Sequence, residues 1–389
     1  MKIRMLLLGI LSPLFFVACD KNDDLPVHPG EDQETKSVFL RFETGSVSQT
    51  RSVEDNAGGT KANLSSALIY FAGAEADPKI YAVRTVGGAG SDATIEEMIR
   101  EGGKEFKGIP VDVKVVYVVG NHDSADQGGA YAAFPTAKGT PLSEMEATLL
   151  NIQQINYPSY ATQTGGLAAL LYGNGLVNTR LNESQQTEYF AQVKVAPINA
   201  RIELDELTYT GHLTAFTLDG IFMNNYWSVA DLGLTDFAPA HLVNNGSDTD
   251  TYKIGGDEFA YNYYSTMFDE VGQYVTVTEE KASMKPAADK TWAYQVLGEA
   301  PQVAHVIVKF TDVVDENGKK QADQYLTVKG FRDMNGNELS TLESGKVYRM
   351  KSLAFDDSHL EIIPEPDMVS IWVTVEILDW VEVEVKPII

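Results

Sequence analysis

The sequence predicts an all-β protein with a few short helices, arranged as two tandem β-sandwich domains. Three observations carry this. Short apolar runs alternate with period two, as in Val38 to Phe42 and Val303 to Phe310, the spacing of strands with one buried face. Turn signals separate such runs, among them Glu316-Asn317-Gly318, Asn335-Gly336-Asn337 and Ser344-Gly345, the punctuation of a sandwich or barrel. About 370 residues follow the N-terminal leader, more than one core usually accommodates. Alternation becomes continuous from Val193, so the domains are placed at 37–192 and 193–389.

Residues 1–18 have the form of a secretory signal: Lys2 and Arg4, an apolar run from Met5, then Phe16-Val17-Ala18 before Cys19. The run is too short for a stable membrane span. Cys19, the one cysteine in 389 residues, stands at the processing point without a disulfide partner. Its setting resembles a bacterial lipobox, which implies acylation of Cys19 before the signal is removed. Residues 19–36 are acidic, polar and Pro-containing and read as a solvated tether.

Apolar residues at 44% and charged residues at 22% are ordinary for a globular chain. The charge balance is not. There are 30 basic residues against 55 acidic ones, net −25, and loss of Lys2 and Arg4 with the signal leaves 28 against 55, or −27. Such a chain repels phosphate backbones, so no nucleic-acid partner is expected.

Taken in order, Val38, Leu40 and Phe42 share one face of a first strand. Gly45 to Ser52 is small and polar, an exposed segment of the kind proteases cut. Within it Arg51, followed by Ser52, is the better cleavage point, because Arg41 lies inside the strand. Leu64 to Phe71 and Lys79 to Thr85 form the next ordered block, and Thr94 to Arg100 reads as a short amphipathic helix. Val111 to Val119 is the strongest strand of this half; Val111, Val113, Val115, Tyr117 and Val119 alternate, Val116 and Val118 fill the second face, and Gly120-Asn121 ends it. A helix is expected from Ser143, with Glu146 completing a capping box and Leu142, Met145, Leu149, Leu150 and Ile152 as its apolar stripe. Beyond residue 192 come strands at Asn199 to Leu204, Leu213 to Leu218, Val303 to Phe310, Gln324 to Val328 and Val347 to Phe355.

The C-terminus is the longest alternating run. Val369, Ile371, Val373, Val375, Ile377, Val381, Val383 and Val385 all occupy odd positions, interrupted only by Asp379, where a bulge is expected. One strand of that length exceeds the usual size and would be a hazard at a sheet edge. Either it bends between sheets of its own domain, or its end, with Val381, Val383 and Val385, is donated to the sheet of a neighbouring subunit.

The order of these pieces over nearly the whole chain resembles the fimbrillin family of Bacteroidetes, the lipoprotein-derived type V pilins, in the form of a major fimbrial subunit. The matching pieces are the lipobox ending in Cys19, a short strand followed by Thr50-Arg51, and a strand ending Val116-Tyr117-Val118-Val119-Gly120-Asn121. The restart at Val193 to Leu204 with Asn199-Ala200-Arg201-Ile202, the run Leu342 to Tyr348, and the closing strand Val373 to Trp380 complete the set. The resemblance implies that both sandwiches are transthyretin-like and that the precursor reaches the outer membrane surface as a lipoprotein. It implies a cut after Arg51 by an arginine-specific protease, which removes the anchor together with residues 37–51, including Val38, Leu40 and Phe42. A strand from another copy or a related fimbrial subunit then fills the groove and builds a fimbria that supports adhesion. The alternatives are a lipid-anchored surface module that binds a glycan or host ligand without polymerising, and a fimbrial anchor that keeps its lipid.

Enzymatic readings find little support, and neither a metal nor a cofactor is expected. The histidines, His28, His122, His212, His241, His305 and His359, are scattered without metal-ligand spacing. Gly87-Gly88-Ala89-Gly90 lacks the Lys and Ser/Thr of a phosphate loop and reads as a hairpin. Asp333 to Glu338 has a calcium-loop look but no distal glutamate, so a tight turn at Asn335-Gly336 is expected. Tyr261, Tyr263, Tyr264 and Phe268 could face a glycan or cover a core edge.

Overall fold

A computed structural model describes residues 34–43, 64–122, 133–152, 170–182, 184–253, 267–286, 291–367 and 371–379. Up to residue 197 the strands are β1 (Thr35–Glu43), β2 (Ala67–Ala72), β3 (Ile80–Val86), β4 (Lys104–Pro110), β5 (Val115–Gly120), β6 (Leu149–Asn151), β7 (Leu171–Leu176), β8 (Asn178–Leu181), β9 (Thr187–Lys194) and β10 (Ala196–Pro197). Two short helices, α1 (Ile95–Ile99) and α2 (Leu142–Glu146), lie among them. Two sheets result, ordered β4-β1-β9-β8 and β10-β7-β5-β2-β3.

The second of these sheets is buried on both faces. Ile69, Phe71, Val116 and Val118 face a core shared with Val38, Leu40 and Phe42. Leu68, Tyr70 and Val119 face a second core that also contains Leu150, Trp227 and Tyr348. Two-sided burial explains why residues 115–120 are apolar without a break. Because that second core draws on residues from Leu68 to Val375, hydrophobic contact is continuous across residue 193.

From residue 199 onward the strands are β11 (Asn199–Leu204), β12 (Leu207–Thr210), β13 (Ala215–Asn224), β14 (Tyr226–Trp227), β15 (Val229–Asp231), β16 (Leu242–Val243), β17 (Phe268–Thr276), β18 (Lys281–Met284), β19 (Trp292–Leu297), β20 (His305–Val314), β21 (Gln324–Arg332), β22 (Lys346–Met350), β23 (Leu353–Phe355), β24 (Ile371–Thr374) and β25 (Glu376–Asp379). They form sheets β19-β11-β22-β25, β18-β12-β23 and β17-β13-β20-β21-β24, with small pairs β14-β16 and β15-β6. The described residues are therefore all-β apart from short helical turns, as the alternation predicts.

Three local expectations are corrected. First, the strand expected over Val111 to Val119 begins only at Val115. Pro110 carries no N–H to continue a ladder, and Val113 N instead donates to the Pro110 carbonyl at 3.1 Å, closing a turn. The unpredicted β4 precedes that turn; Gly108, at φ +68, lets it bulge where its register with β1 shifts between Lys36 and Val38.

Second, the Ser143 capping box is absent. Pro141 is the N-cap of α2, without a side-chain bond, and Ser143 lies inside the helix. The helix ends at Glu146, because Leu149–Asn151 pair with Val229–Asp231 instead and Leu149 is left half exposed. A capping box does form at α1, where Glu97 N donates to Thr94 Oγ1 (3.2 Å) and Thr94 N to Glu97 Oε2 (2.9 Å).

Third, the C-terminal run already breaks at Val375, ahead of Asp379, beyond which the residues lie outside those described. β24 runs parallel to β21, Val375 N donates to the Arg332 carbonyl at 2.8 Å, and β25 then pairs with β22 in a different sheet. The odd-numbered face ends there: Val373 and Val375 are buried, whereas Ile377 is 39% exposed. Leu378 instead packs partly against the core around β1.

Candidate functional site

The first strand holds an inner position in its sheet. β1 lies inside its sheet, antiparallel to β4 and parallel to β9, with Leu40 opposite Lys104 on one side and Ala191 on the other. Its inward positions Val38, Leu40 and Phe42 are 0%, 0% and 2% exposed, while Ser37, Phe39 and Arg41 on the other face are half-buried. Burying three such side chains is worth roughly 5–9 kcal/mol of transfer free energy. The seal is close. Gly103, at φ +69, passes so near the strand that a Cβ there would lie 2.4 Å from the Leu40 carbonyl oxygen.

At the start of β1 the alternation continues with a charged residue. Lys36 is 9% exposed. Its Nζ donates to the carbonyls of Val113 (2.7 Å) and Val111 (3.1 Å) and stands 4.5 Å from the centre of the Tyr189 ring. Burial, aided by Lys114, pushes its ammonium pKa down, and Asp112 opposes the shift.

Removal of β1 would expose the backbone edges of β4 and β9 and an apolar groove lined by Ile69, Phe71, Phe106 and Val193. Buried backbone groups without partners are costly, so only another strand restores that surface. Toward the other end of the chain, β25 is an edge strand of its sheet among the described residues. Of the residues singled out in the sequence, Val38, Leu40 and Phe42 are thus brought together in one strand. Cys19, Arg51, Ser52, Val381, Val383 and Val385 lie outside the described residues.

His305, Asp333 and Phe268, among the remaining candidates, are engaged in local contacts. His305 Nδ1 is 2.7 Å from Glu365 Oε1 and its Nε2 is 3.2 Å from Asn225 Nδ2. Burial alone would raise the Glu365 carboxyl, but the His305 and Asn224 hydrogen bonds and the Lys329 charge outweigh it and hold the pKa below its ordinary value. Asp333 accepts from Asn337 Nδ2, Asn337 N and Asn335 N, each at 2.8 Å, so its carboxylate is turned onto its own loop. Among the described residues no cluster of His, Cys, Asp and Glu could hold a metal ion. Phe268 stacks on Phe222 at 5.8 Å, within an aromatic cluster that includes Tyr252; Tyr261, Tyr263 and Tyr264 lie outside the described residues.

Two buried polar groupings carried no clear signal in the sequence. Arg201 and Glu203, both fully buried on β11, are joined at 2.7 Å, and Arg349 on β22 donates to Glu203 Oε2 from Nε (2.8 Å) and Nη2 (2.6 Å). Alternation alone assigns both β11 residues to an outer face; their burial follows from what covers that face. The second is Asp269, 1% exposed on β17, whose Oδ2 accepts from the Tyr294 hydroxyl at 2.6 Å.

Comparison with known proteins gives structural likeness alone. No family model matches the chain, and no curated protein matches it either. Among solved structures it is similar to a candidate cell adhesion protein from Bacteroides eggerthii, with 14% identity, TM-score 0.47, and 90% of this chain and 97% of that one covered. A candidate cell adhesion protein from Parabacteroides distasonis gives 12% identity, TM-score 0.48, and coverage of 89% and 99%. The fimbrial anchor protein Mfa2 from Porphyromonas gingivalis gives 10% identity, TM-score 0.31, and coverage of 75% and 82%. These three are candidate cell adhesion proteins and a fimbrial anchor protein.

Proposed function

We propose that this chain is a structural subunit of cell-surface fimbriae, exported as a lipoprotein on Cys19 and cut after Arg51. The cut removes the first strand, and the subunits polymerise as a donated strand from the next subunit fills the groove. The observation that carries the proposal is the placement of β1: an N-terminal strand at an inner position of its sheet, with Val38, Leu40 and Phe42 buried. It is followed at once by the small, polar stretch that contains Arg51. A strand so placed keeps a precursor closed, and its loss leaves a vacancy fitted to an incoming strand.

The donor in this reading is the chain's own tail. β25 ends at Asp379 on a sheet edge, and Val381, Val383 and Val385 follow, alternating with Glu382 and Glu384. Alternate valines fill the pockets left by alternate residues of β1, and the glutamates stay on the outer face. The partners are other copies of the chain and related fimbrial subunits, an arginine-specific protease, and the outer membrane through the lipid before cutting. Residues 37–192 and 193–389 are proposed as the two tandem domains of the precursor.

The test is the N-terminal residue of protein recovered from the cell surface. Ser52 as the first residue is the expected result. Acylated Cys19 in all surface material would rule out a processed subunit and leave the anchor or a non-polymerising binding module.

A further inference from the structure

We propose that the end of the β1 groove formed by the carbonyls of Val111 and Val113 and the ring of Tyr189 is an ammonium subsite. It selects, among strands able to fill the groove, one that carries lysine two residues before the first of three alternating apolar side chains. This rests on the reading of β1 as a removable strand and adds a chemical requirement to it. In the closed chain the subsite is filled by Lys36, with contacts of 2.7 and 3.1 Å to the two carbonyls and 4.5 Å to the ring centre.

Both carbonyls belong to the turn that follows β4, outside the sheet's paired strands, and they converge on one point from the two sides of Asp112. A strand that brings only apolar side chains to this groove fills the pockets of Val38, Leu40 and Phe42 but leaves the buried contact at the Val113 carbonyl and the part-buried one at Val111 without their donor. Polar atoms left so are unfavourable, and hydrogen bonds to a charged group are among the stronger ones available.

The chain's own tail lacks the feature. In phase with Val381, Val383 and Val385 stand Asp379 and Pro387, while Lys386 falls on the opposite face. The tail is therefore the weaker occupant of the groove, and the resident strand is the preferred one. After cutting, the groove stays closed until the severed strand dissociates, and Lys36 sets how long that takes.

The test uses the chain without its signal, cut after Arg51, and challenged with four peptides. Three span residues 34–44 and carry Lys36, K36R or K36M; the fourth spans residues 379–389. Native mass spectrometry follows release of the severed fragment and binding of each peptide. The lysine peptide should bind at least about tenfold more tightly than K36M, the factor corresponding to one charge-assisted hydrogen bond. K36R should fall nearer the lysine peptide, and the tail peptide should bind no more tightly than K36M. Equal binding of the lysine and K36M peptides, or a tail peptide as tight as lysine, overturns the subsite while leaving a removable strand. A fragment that never leaves, with no peptide entering, overturns the removable strand and the subsite with it.

Discussion

Replacing Asp269 by asparagine should flatten the pH dependence of folding between pH 4 and pH 7 and stabilise the chain at neutral pH. The carboxyl group is 1% exposed; its Oδ2 takes the Tyr294 hydroxyl, and its Oδ1 is buried without a partner. Burial raises the pKa from 3.8 to about 6, the Tyr294 hydrogen bond opposing that shift. Between those values the folded chain binds more protons than the unfolded one, so stability falls as pH rises, and the penalty is complete above about pH 6. A difference of about two pKa units corresponds to about 3 kcal/mol at pH 7. Asparagine cannot ionise, but its amide nitrogen inherits the position without a partner, which returns about 1–2 kcal/mol. The net gain at pH 7 is then about 1–2 kcal/mol, whereas the loss of pH slope is the full effect. Urea unfolding of both proteins from pH 4 to pH 7.5 reads both quantities. Equal slopes in the two proteins would refute the assignment of this carboxyl.

Three further substitutions probe the groove and the buried charges. L40A removes a fully buried side chain from β1; it should cost about 2–5 kcal/mol in urea unfolding and speed proteolysis at Arg41, and unchanged values would mean that β1 does not seal the core. G103A places a Cβ 2.4 Å from the Leu40 carbonyl at φ +69, so it should destabilise by more than about 1 kcal/mol, measured as a lowered unfolding midpoint. R349M leaves Glu203 buried with Arg201 as its remaining partner; a loss of about 3 kcal/mol is expected, and a stable R349M protein would show that the pair is dispensable.

Legibility in the sequence followed how local the deciding physics was. Val38, Leu40 and Phe42 were readable because one face of β1 meets core and the other does not, which is what alternation encodes. The run at 115–120 was readable for the opposite reason, burial on both faces. Lys36 was hidden because its partners lie more than seventy residues away, at Val111 and Val113. β4, with three lysine or glutamate residues and Gly108 in seven positions, carries no run long enough to signal a strand. The expected helix over residues 143–152 failed at Leu149, where pairing with Val229–Asp231 overrides helical spacing. At the C-terminus the odd-numbered face described two strands as one, since a change of sheet at Val375 leaves no mark in the spacing until Ile377.

In the proposed assembly, loss of β1 is answered by a strand from another copy. Purified chain lacking its signal is cut with trypsin after Arg51, in full-length form and with residues 381–389 deleted, and run on SDS gels without heating. An SDS-resistant ladder from the cut full-length chain, with none from the uncut chain or the deletion, is the predicted result. A cut chain that stays monomeric, or a ladder that survives the deletion, would contradict it.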